Sequence, residues 1–161
     1  MKGEKMSQKI LVAFDDSDNA MRAVEHMAAN FKSDAEVTLF SVLPDTADIC
    51  QMHSKELTPY FKAQQTAFCT LEDKKKELLE QAMEKARMIL VHSGFDENKI
   101  HTKMSVKKSG IARDIVSEAH KGYDMIVMGR RGLSGIKEMF LGSISQKVLS
   151  LAKDMSISVV D

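Results

Sequence analysis

Five short apolar runs, separated by stretches with helical periodicity, constrain this chain more than any other feature. The runs cover residues 10–14, 37–43, 100–106, 125–128 and 156–160, and in 100–106 apolar residues alternate with polar ones, as in a strand near a sheet edge. The first is apolar throughout, which is typical of a strand buried on both faces of a parallel sheet. Right-handed crossovers between parallel strands place helices on both faces of the sheet. The order β-α-β-α-β-α-β-α-β therefore predicts an α/β sandwich with a parallel sheet.

The helical stretches differ in how clearly they can be recognised. We expect Ser17 or Asp18 to cap a helix that follows the first strand. A longer helix is expected to begin at a capping box formed by Thr70 and Asp73, since an apolar stripe follows. Residues 45–70 lack such a pattern, so we expect a variable loop or lid there, with one short helical turn.

Length, charge and composition narrow the class of protein. The chain of 161 residues fits a single domain spanning residues 1–161 with a sizeable core. Its 23 Lys+Arg balance 23 Asp+Glu, which argues against the basic face of a nucleic-acid-binding protein. No apolar run approaches the ~18–20 residues of a membrane span, and the charged first residues lack a signal core. We therefore expect a soluble cytoplasmic protein without nucleic-acid or membrane partners.

Cys50 and Cys69 are the two cysteines of the chain. Both lie in the poorly patterned segment 45–70. Two cysteines alone define neither a disulfide framework nor a metal site. Their pairing is left open by the sequence.

Four of the eight glycines fall between Gly129 and Gly142, directly after the fourth apolar run. A strand that ends at glycine lets bare backbone approach a ligand closely. A helix that begins near Gly142 and Ser143 would aim free N–H groups and its positive dipole end at the same place. This combination favours phosphate, and a nucleotide is the first hypothesis.

Several groups near this loop can donate to phosphate. The amides of Gly142 and Ser143 and the hydroxyls of Ser143 and Ser145 are suitable donors. Arg130 or Arg131 could add charge-assisted hydrogen bonds, although a pair of solvated surface cations is an equally good interpretation.

Asp15 follows the first strand and has two interpretations. Its carboxylate could bind ribose hydroxyls or a divalent ion, or it could start the next helix. Ligands of parallel sheets bind at the carboxyl ends of strands, where the strand order reverses. If the first and fourth strands are neighbours, Asp15 and the glycine loop share one crevice.

At this point the chain resembles the universal stress protein family. The spacing Gly129-x2-Gly132-x9-Gly142-Ser143 is similar to the ATP-binding signature of that family, and residues 10–18 look like its first strand and turn. The resemblance covers nearly the whole chain except residues 45–70. It implies the strand order 3-2-1-4-5 and a homodimer formed by pairing of the fifth strands, residues 156–160.

The resemblance also implies a set of nucleotide contacts. Asp15 matches an acidic residue near the ribose and the metal, and Ala13 and Val42 match contacts around adenine. Asp16 stands where the family usually has glycine, which adds negative charge near the site. The implied ligand is ATP, or AMP or ADP, with Mg²⁺ or Mn²⁺. The other implied contacts are Gly129 and Gly132 in the loop and Gly142, Ser143 and Ser145 at the start of the last helix. Met128 and Arg130, on either side of Gly129, complete the candidate nucleotide-binding residues.

The expected function is an adenine-nucleotide-binding stress-response module that acts as a regulatory dimer on an unknown protein partner. The sequence offers no convincing general base or activated nucleophile, so at most slow ATP hydrolysis is expected. One alternative is an ATP pyrophosphatase or adenylating enzyme of a related fold. Such enzymes carry a Ser-Gly-Gly-x-Asp-Ser loop, whereas residues 14–18 read Phe-Asp-Asp-Ser-Asp. The other alternative is a non-binding interaction protein whose glycines only turn the chain.

Overall fold

The five apolar runs form strands in a computed structural model, which describes residues 7–52, 58–132 and 141–161. All neighbouring strands are parallel, and their order is β3-β2-β1-β4-β5. The predicted parallel sheet and the order 3-2-1-4-5 are therefore confirmed. The strands are β1 (Lys9–Ala13), β2 (Glu36–Leu43), β3 (Ile100–Val106), β4 (Met125–Gly129) and β5 (Ser156–Val160).

Helices cover both faces of this sheet, as predicted. α1 and α3 contribute to one core, and α4 and α5 contribute to the other. A 3-10 turn at Glu97–Lys99 leads into β3. The helices are α1 (Asp18–Asn30), α2 (Ala47–Cys50), α3 (Pro59–His92), α4 (Ile111–Ala119) and α5 (Ser143–Leu151).

Alternation along β1 divides its side chains between the two cores. Ile10 and Val12 belong to the core beneath α1 and α3, whereas Leu11 belongs to the core beneath α4 and α5. All three side chains are fully buried. Since successive side chains of a strand point to opposite faces, a strand covered by helices on both sides must be apolar at every position.

The predicted start of the long helix at Thr70 is wrong, because α3 already begins at Pro59. Proline suits the first helical position, where its missing N–H has no intrahelical acceptor. The buried residues of α3 lie in its second half, while Tyr60 and Phe61 are 68% and 58% exposed. The first half therefore lacks the burial pattern by which a helix is recognised. Within the described residues, no helix combines the length and apolarity that crossing a membrane requires.

The segment 45–70 contains more structure than a loop. The short helical turn expected there is α2, and the first part of α3 follows; residues 53–57 lie outside the described residues. Cys50 and Cys69 form a disulfide with a Cα–Cα distance of 5.9 Å, which joins α2 to α3. The sequence left this pairing open.

Glu118 links α4 to the edge strand β3. Its carboxylate is 5% exposed and accepts hydrogen bonds from the ammonium groups of Lys103 at 2.6 Å and Lys121 at 2.8 Å. Burial raises the pKa of Glu118, but the hydrogen bonds from Lys103 and Lys121 outweigh it and hold the pKa below its ordinary value. The charged form of this carboxyl is therefore stabilised by folding.

We predict that Glu118→Gln lowers the free energy of unfolding by about 1–2 kcal/mol at pH 7, because a neutral amide cannot accept from two ammonium groups as a carboxylate does. The folded-state pKa is lowered, so the contribution of Glu118 is fully present above the ordinary glutamate pKa. It is lost as the pH falls through the folded-state value. Urea denaturation of both proteins at pH 7 and pH 3 should show the difference shrinking at pH 3.

Glu97→Gln is the matched control for this experiment. Glu97 pairs with Arg87 on the surface, and its side chain is 64% exposed. Exposed pairs contribute about 0–1 kcal/mol, so this variant should differ little from the parent. An equal loss for Glu118→Gln at both pH values would contradict the assigned role.

Candidate functional site

A cavity of about 480 Å³ opens at the carboxyl ends of β1 and β4. The strand order reverses between these two strands, since β2 and β3 lie beyond β1 and β5 lies beyond β4. Ala13 at the end of β1 pairs with Met128 of β4, and both residues line the cavity. Asp15 and the glycine loop therefore share one crevice, as expected if these strands are neighbours.

Nine of the ten predicted nucleotide contacts line this cavity, and Arg130 is the exception. The guanidinium of Arg130 pairs with the Asp161 carboxylate at 2.7 Å. Its neighbour Arg131 does line the cavity. Of the two arginines that the sequence left undecided, the structure thus places Arg131 at the site. The nine residues are Ala13, Asp15, Val42, Met128, Gly129, Gly132, Gly142, Ser143 and Ser145.

Sequence reasoning missed most of the apolar wall of the cavity. Ile111 and Ile144 stand in the first turns of α4 and α5 and are 40% and 37% exposed. The sequence shows an apolar residue at the start of a helix that follows a strand, but only the structure shows that the core leaves this residue partly exposed. The other missed wall residues are Phe14, Ala20, Phe40 and Ile115.

Asp15 is held in place by Ser17. Oδ1 of Asp15 accepts from the Ser17 N–H at 3.2 Å and from the Ser17 hydroxyl. Ser17 Oγ in turn accepts from the Ala20 N–H at 3.1 Å and caps α1, in line with one of the two expected caps. Because Ser17 performs the capping, Asp15 is not needed to start the helix.

Gly132 lies against the other oxygen of Asp15. A Cβ atom on Gly132 would come within 2.8 Å of Asp15 Oδ2. Glycine therefore allows the backbone after β4 to approach the carboxylate after β1. This contact brings the two sides of the cavity together.

Two donors that we expected to bind phosphate are used inside the protein. The Gly142 N–H donates to the Arg130 carbonyl at 2.9 Å, and the buried Ser145 hydroxyl donates to the Gly129 carbonyl at 3.0 Å. These hydrogen bonds join the start of α5 to the end of β4. Gly135, which belongs to the same glycine cluster, lies outside the described residues.

The N-terminus of α5 keeps amide donors directed away from its own helix. Gln146 makes the first intrahelical bond, to the Gly142 carbonyl, and Gly142 provides no side-chain cap within the described residues. The N–H groups of Ser143, Ile144 and Ser145 consequently have no acceptor within the helix. All three residues line the cavity, so α5 can present them to an anion there.

The backbone N–H groups in the turn before α4 have an acceptor within the protein. The Asp114 carboxylate accepts from the backbone N–H groups of Lys108 at 2.7 Å and Ser109 at 3.0 Å. The hydrogen bond from Lys108 contributes most to a lowered pKa of Asp114. The anion that these amides bind is thus supplied by the protein itself, whereas α5 lacks such a carboxylate among the described residues.

The charged lining of the cavity, within the described ranges, consists of Asp15 and Arg131. No group of three His, Cys, Asp or Glu residues that could hold a metal occurs among the described residues. A metal at Asp15 would therefore need oxygen ligands from a bound phosphate or water to complete its coordination.

Gly129 serves the packing of the sheet on α1. A Cβ atom there would come within 2.7 Å of the backbone carbonyl carbon and oxygen of Asn19 and within 2.8 Å of its Cβ. Such distances leave no room for a side chain. Glycine at this position therefore lets α1 lie directly over the end of β4.

Comparisons with known proteins point to one family. The model of the universal stress protein family matches residues 6–155. Universal stress protein YxiE of Bacillus subtilis (strain 168) is 31% identical over 155 residues, covering 91% of this chain and 95% of the relative. The structure of hypothetical protein MJ0577 is 29% identical, with a TM-score of 0.68 and 96% of each chain covered. A universal stress protein in complex with cAMP is 20% identical, with a TM-score of 0.60 over 96% of this chain and 97% of that one, a likeness in fold.

We predict that Gly129→Ala lowers the free energy of unfolding by about 1–3 kcal/mol, because its methyl group can be accommodated only if the backbone of α1 moves. Gly132→Ala is the matched control. Its methyl group meets the Oδ2 end of the Asp15 side chain and no backbone atom, so a small shift of that carboxylate suffices and the loss should stay below about 1 kcal/mol. Chemical denaturation of the three proteins measures both effects, and equal stability of Gly129→Ala and the parent would contradict the packing role of Gly129.

Proposed function

This chain belongs to the universal stress protein family, and from that membership we propose that it is a cytoplasmic, nucleotide-dependent regulatory module that binds ATP or another adenine nucleotide. The observation that carries the proposal is the cavity itself, in which an apolar wall meets the N-terminus of α5, a helix start without a side-chain cap among the described residues. A nucleotide combines the same two chemistries, a flat apolar base and a charged phosphate chain. The universal stress protein of the same fold that was solved in complex with cAMP supports the choice of an adenine nucleotide.

The base would occupy the apolar part of the cavity. Ala13, Val42 and Met128 line it from three neighbouring strands, and Ile111 and Ile115 line it from α4. These side chains offer surface without polar groups, which suits the faces of a purine ring. Adenine would thereby bury the exposed part of Ile111, a favourable transfer of apolar surface from water.

The phosphates would lie at the start of α5. The amides of Ser143, Ile144 and Ser145 and the Ser143 hydroxyl can donate to phosphate oxygens. Arg131 supplies the positive charge and can add charge-assisted hydrogen bonds. This donor set is smaller than the one expected from sequence, because Gly142 N–H and the Ser145 hydroxyl are already engaged.

Asp15 would interact with the ribose or with a divalent ion. Ser17 donates to Oδ1 of Asp15, and the other oxygen, Oδ2, lies beside Gly132. Asp15 would help to hold a Mg²⁺ or Mn²⁺ ion, which would supply positive charge to balance the phosphates. Asp15 is also the one carboxylate among the described lining residues. We therefore propose binding with at most slow ATP hydrolysis, since efficient hydrolysis needs a positioned base in addition to a metal.

Dimerisation through β5 is a further part of the proposal. β5 stands at the edge of the sheet, and its residues 157–160 are half-buried. Edge strands that are left unpaired can associate with other chains, and a two-fold pairing of β5 with its copy would cover this edge.

We predict that isothermal titration with ATP, ADP and AMP, each with and without Mg²⁺, gives saturable heat for at least one of them. Arg131→Ala should weaken ATP binding about tenfold through loss of a charged hydrogen-bond donor, and it should leave binding of adenosine unchanged. Arg130→Ala is the matched control, because Arg130 pairs with Asp161 instead of lining the cavity. Absence of heat with every adenine nucleotide would refute the proposed function.

We predict that Val159→Pro converts the dimer to a monomer without loss of the fold. The Val160 carbonyl accepts from the Arg130 N–H, so by alternation Ser158 also faces β4, and the N–H of Val159 points outward. Proline at Val159 removes an edge donor, whereas Ser158→Pro removes a donor of the internal ladder and should destabilise the sheet. Light scattering and circular dichroism separate the two effects. A monomeric parent protein at micromolar concentration would contradict the dimer.

A further inference from the structure

Few interactions within α2 itself stabilise this helix. It consists of four residues, buries none of them, and has no side-chain cap bond from Thr46 within the described residues. Its two backbone hydrogen bonds run from Cys50 N–H to Thr46 at 2.9 Å and from Gln51 N–H to Ala47 at 2.8 Å. A helix this short is unstable in water without tertiary support.

That support comes from one face of α3. The Cys50–Cys69 disulfide joins the two helices covalently. One turn earlier on α3, the Gln65 side-chain amide donates to the Ile49 carbonyl and, at 3.0 Å, to the Met52 carbonyl. Ile49 and Met52 are themselves 48% and 52% exposed, so apolar burial adds little to the docking. The disulfide is consequently the strongest link between α2 and α3.

The disulfide is accessible to small molecules. Cys50 and Cys69 are both only partly buried, and Phe68 and Thr70 beside Cys69 are exposed. Disulfides that lie on the surface and outside the core are the ones that thiols can exchange. In the cytoplasm, where we place this protein, disulfides of ordinary proteins are usually transient or redox-sensing.

The linked segment adjoins the candidate site. β2 ends at Leu43, one residue after Val42, which lines the cavity, and α2 begins four residues after that strand end. A change in the docking of α2 therefore occurs within a few residues of the cavity wall.

We propose that Cys50 and Cys69 form a reversible dithiol–disulfide site whose oxidation fastens α2 to α3 and whose reduction releases residues 44–52. With a glutathione-type disulfide as oxidant, one protein thiolate attacks the small disulfide, forms a mixed disulfide and expels one glutathione thiolate. The second protein thiolate attacks the protein-bound sulfur and expels the other. The balance is one protein dithiol and one glutathione disulfide giving one protein disulfide and two glutathione thiols, and reduction is the reverse.

The test uses the full chain equilibrated in buffers with different ratios of reduced to oxidised glutathione. Alkylation and intact mass report the fraction of disulfide, and hydrogen exchange measured by NMR reports the Cys50 and Gln51 amides. We expect a complete, reversible titration by glutathione, with exchange of these two amides at least about tenfold faster in the reduced protein. A disulfide that resists an excess of reduced glutathione would overturn the proposal. Equal hydrogen exchange of the two amides in the reduced and oxidised proteins would overturn it too, as would a disulfide that joins two chains instead of two cysteines of one chain.

Variants separate the redox site from general stability. Cys50→Ser and Cys69→Ser should each show the fast exchange of the reduced protein at every glutathione ratio, with amides of β1 and β4 still protected. Gln65→Ala should retain slow exchange when oxidised, because the disulfide remains. Fast exchange in oxidised Gln65→Ala, equal to that of Cys69→Ser, would show that Gln65 and not the disulfide holds α2. These readouts require no nucleotide, so a failure of nucleotide binding and a failure of the redox site are distinguishable.

Discussion

The parallel pairing of β1 with β4, from Ile10 opposite Met125 to Ala13 opposite Met128, is the interaction on which the rest of the structure depends. It places strands that are far apart in sequence side by side, and the chain departs from them in opposite directions. Because no crossover connection covers the gap between their carboxyl ends, a cavity opens there. The same pairing brings Asp15 to Gly132, which no local feature of either segment could do.

The two described ends of the loop after β4 are held by contacts within the fold. Gly129 allows α1 to approach, Ser145 donates to the Gly129 carbonyl, and Gly142 donates to the Arg130 carbonyl. These contacts fix the start of α5 relative to β4. A helix N-terminus held in this way can present its remaining amides to an anion without first having to be ordered, so less conformational entropy is lost on binding.

The sequence predicted the strands and their parallel sheet, and nine of its ten predicted contacts line the cavity, because strand ends and glycine spacing are local signals. It did not predict the start of α3 at Pro59, since the first half of that helix buries too little to show a periodic pattern. Ile111 and the Cys50–Cys69 disulfide were missed for a different reason. Both depend on which helices lie next to each other, and that is set by tertiary packing.

Part of the glycine–serine motif therefore has a structural role. Gly129, Gly142 and Ser145 would be required by this loop even in a protein that bound nothing, because their contacts lie within the fold. A match to the motif is thus partly a match to an architecture. The proposed binding of a nucleotide relies in addition on groups that line the cavity: the Ser143 hydroxyl, Arg131 and the half-exposed Ile111. These residues are where binding and non-binding proteins of the same fold should differ.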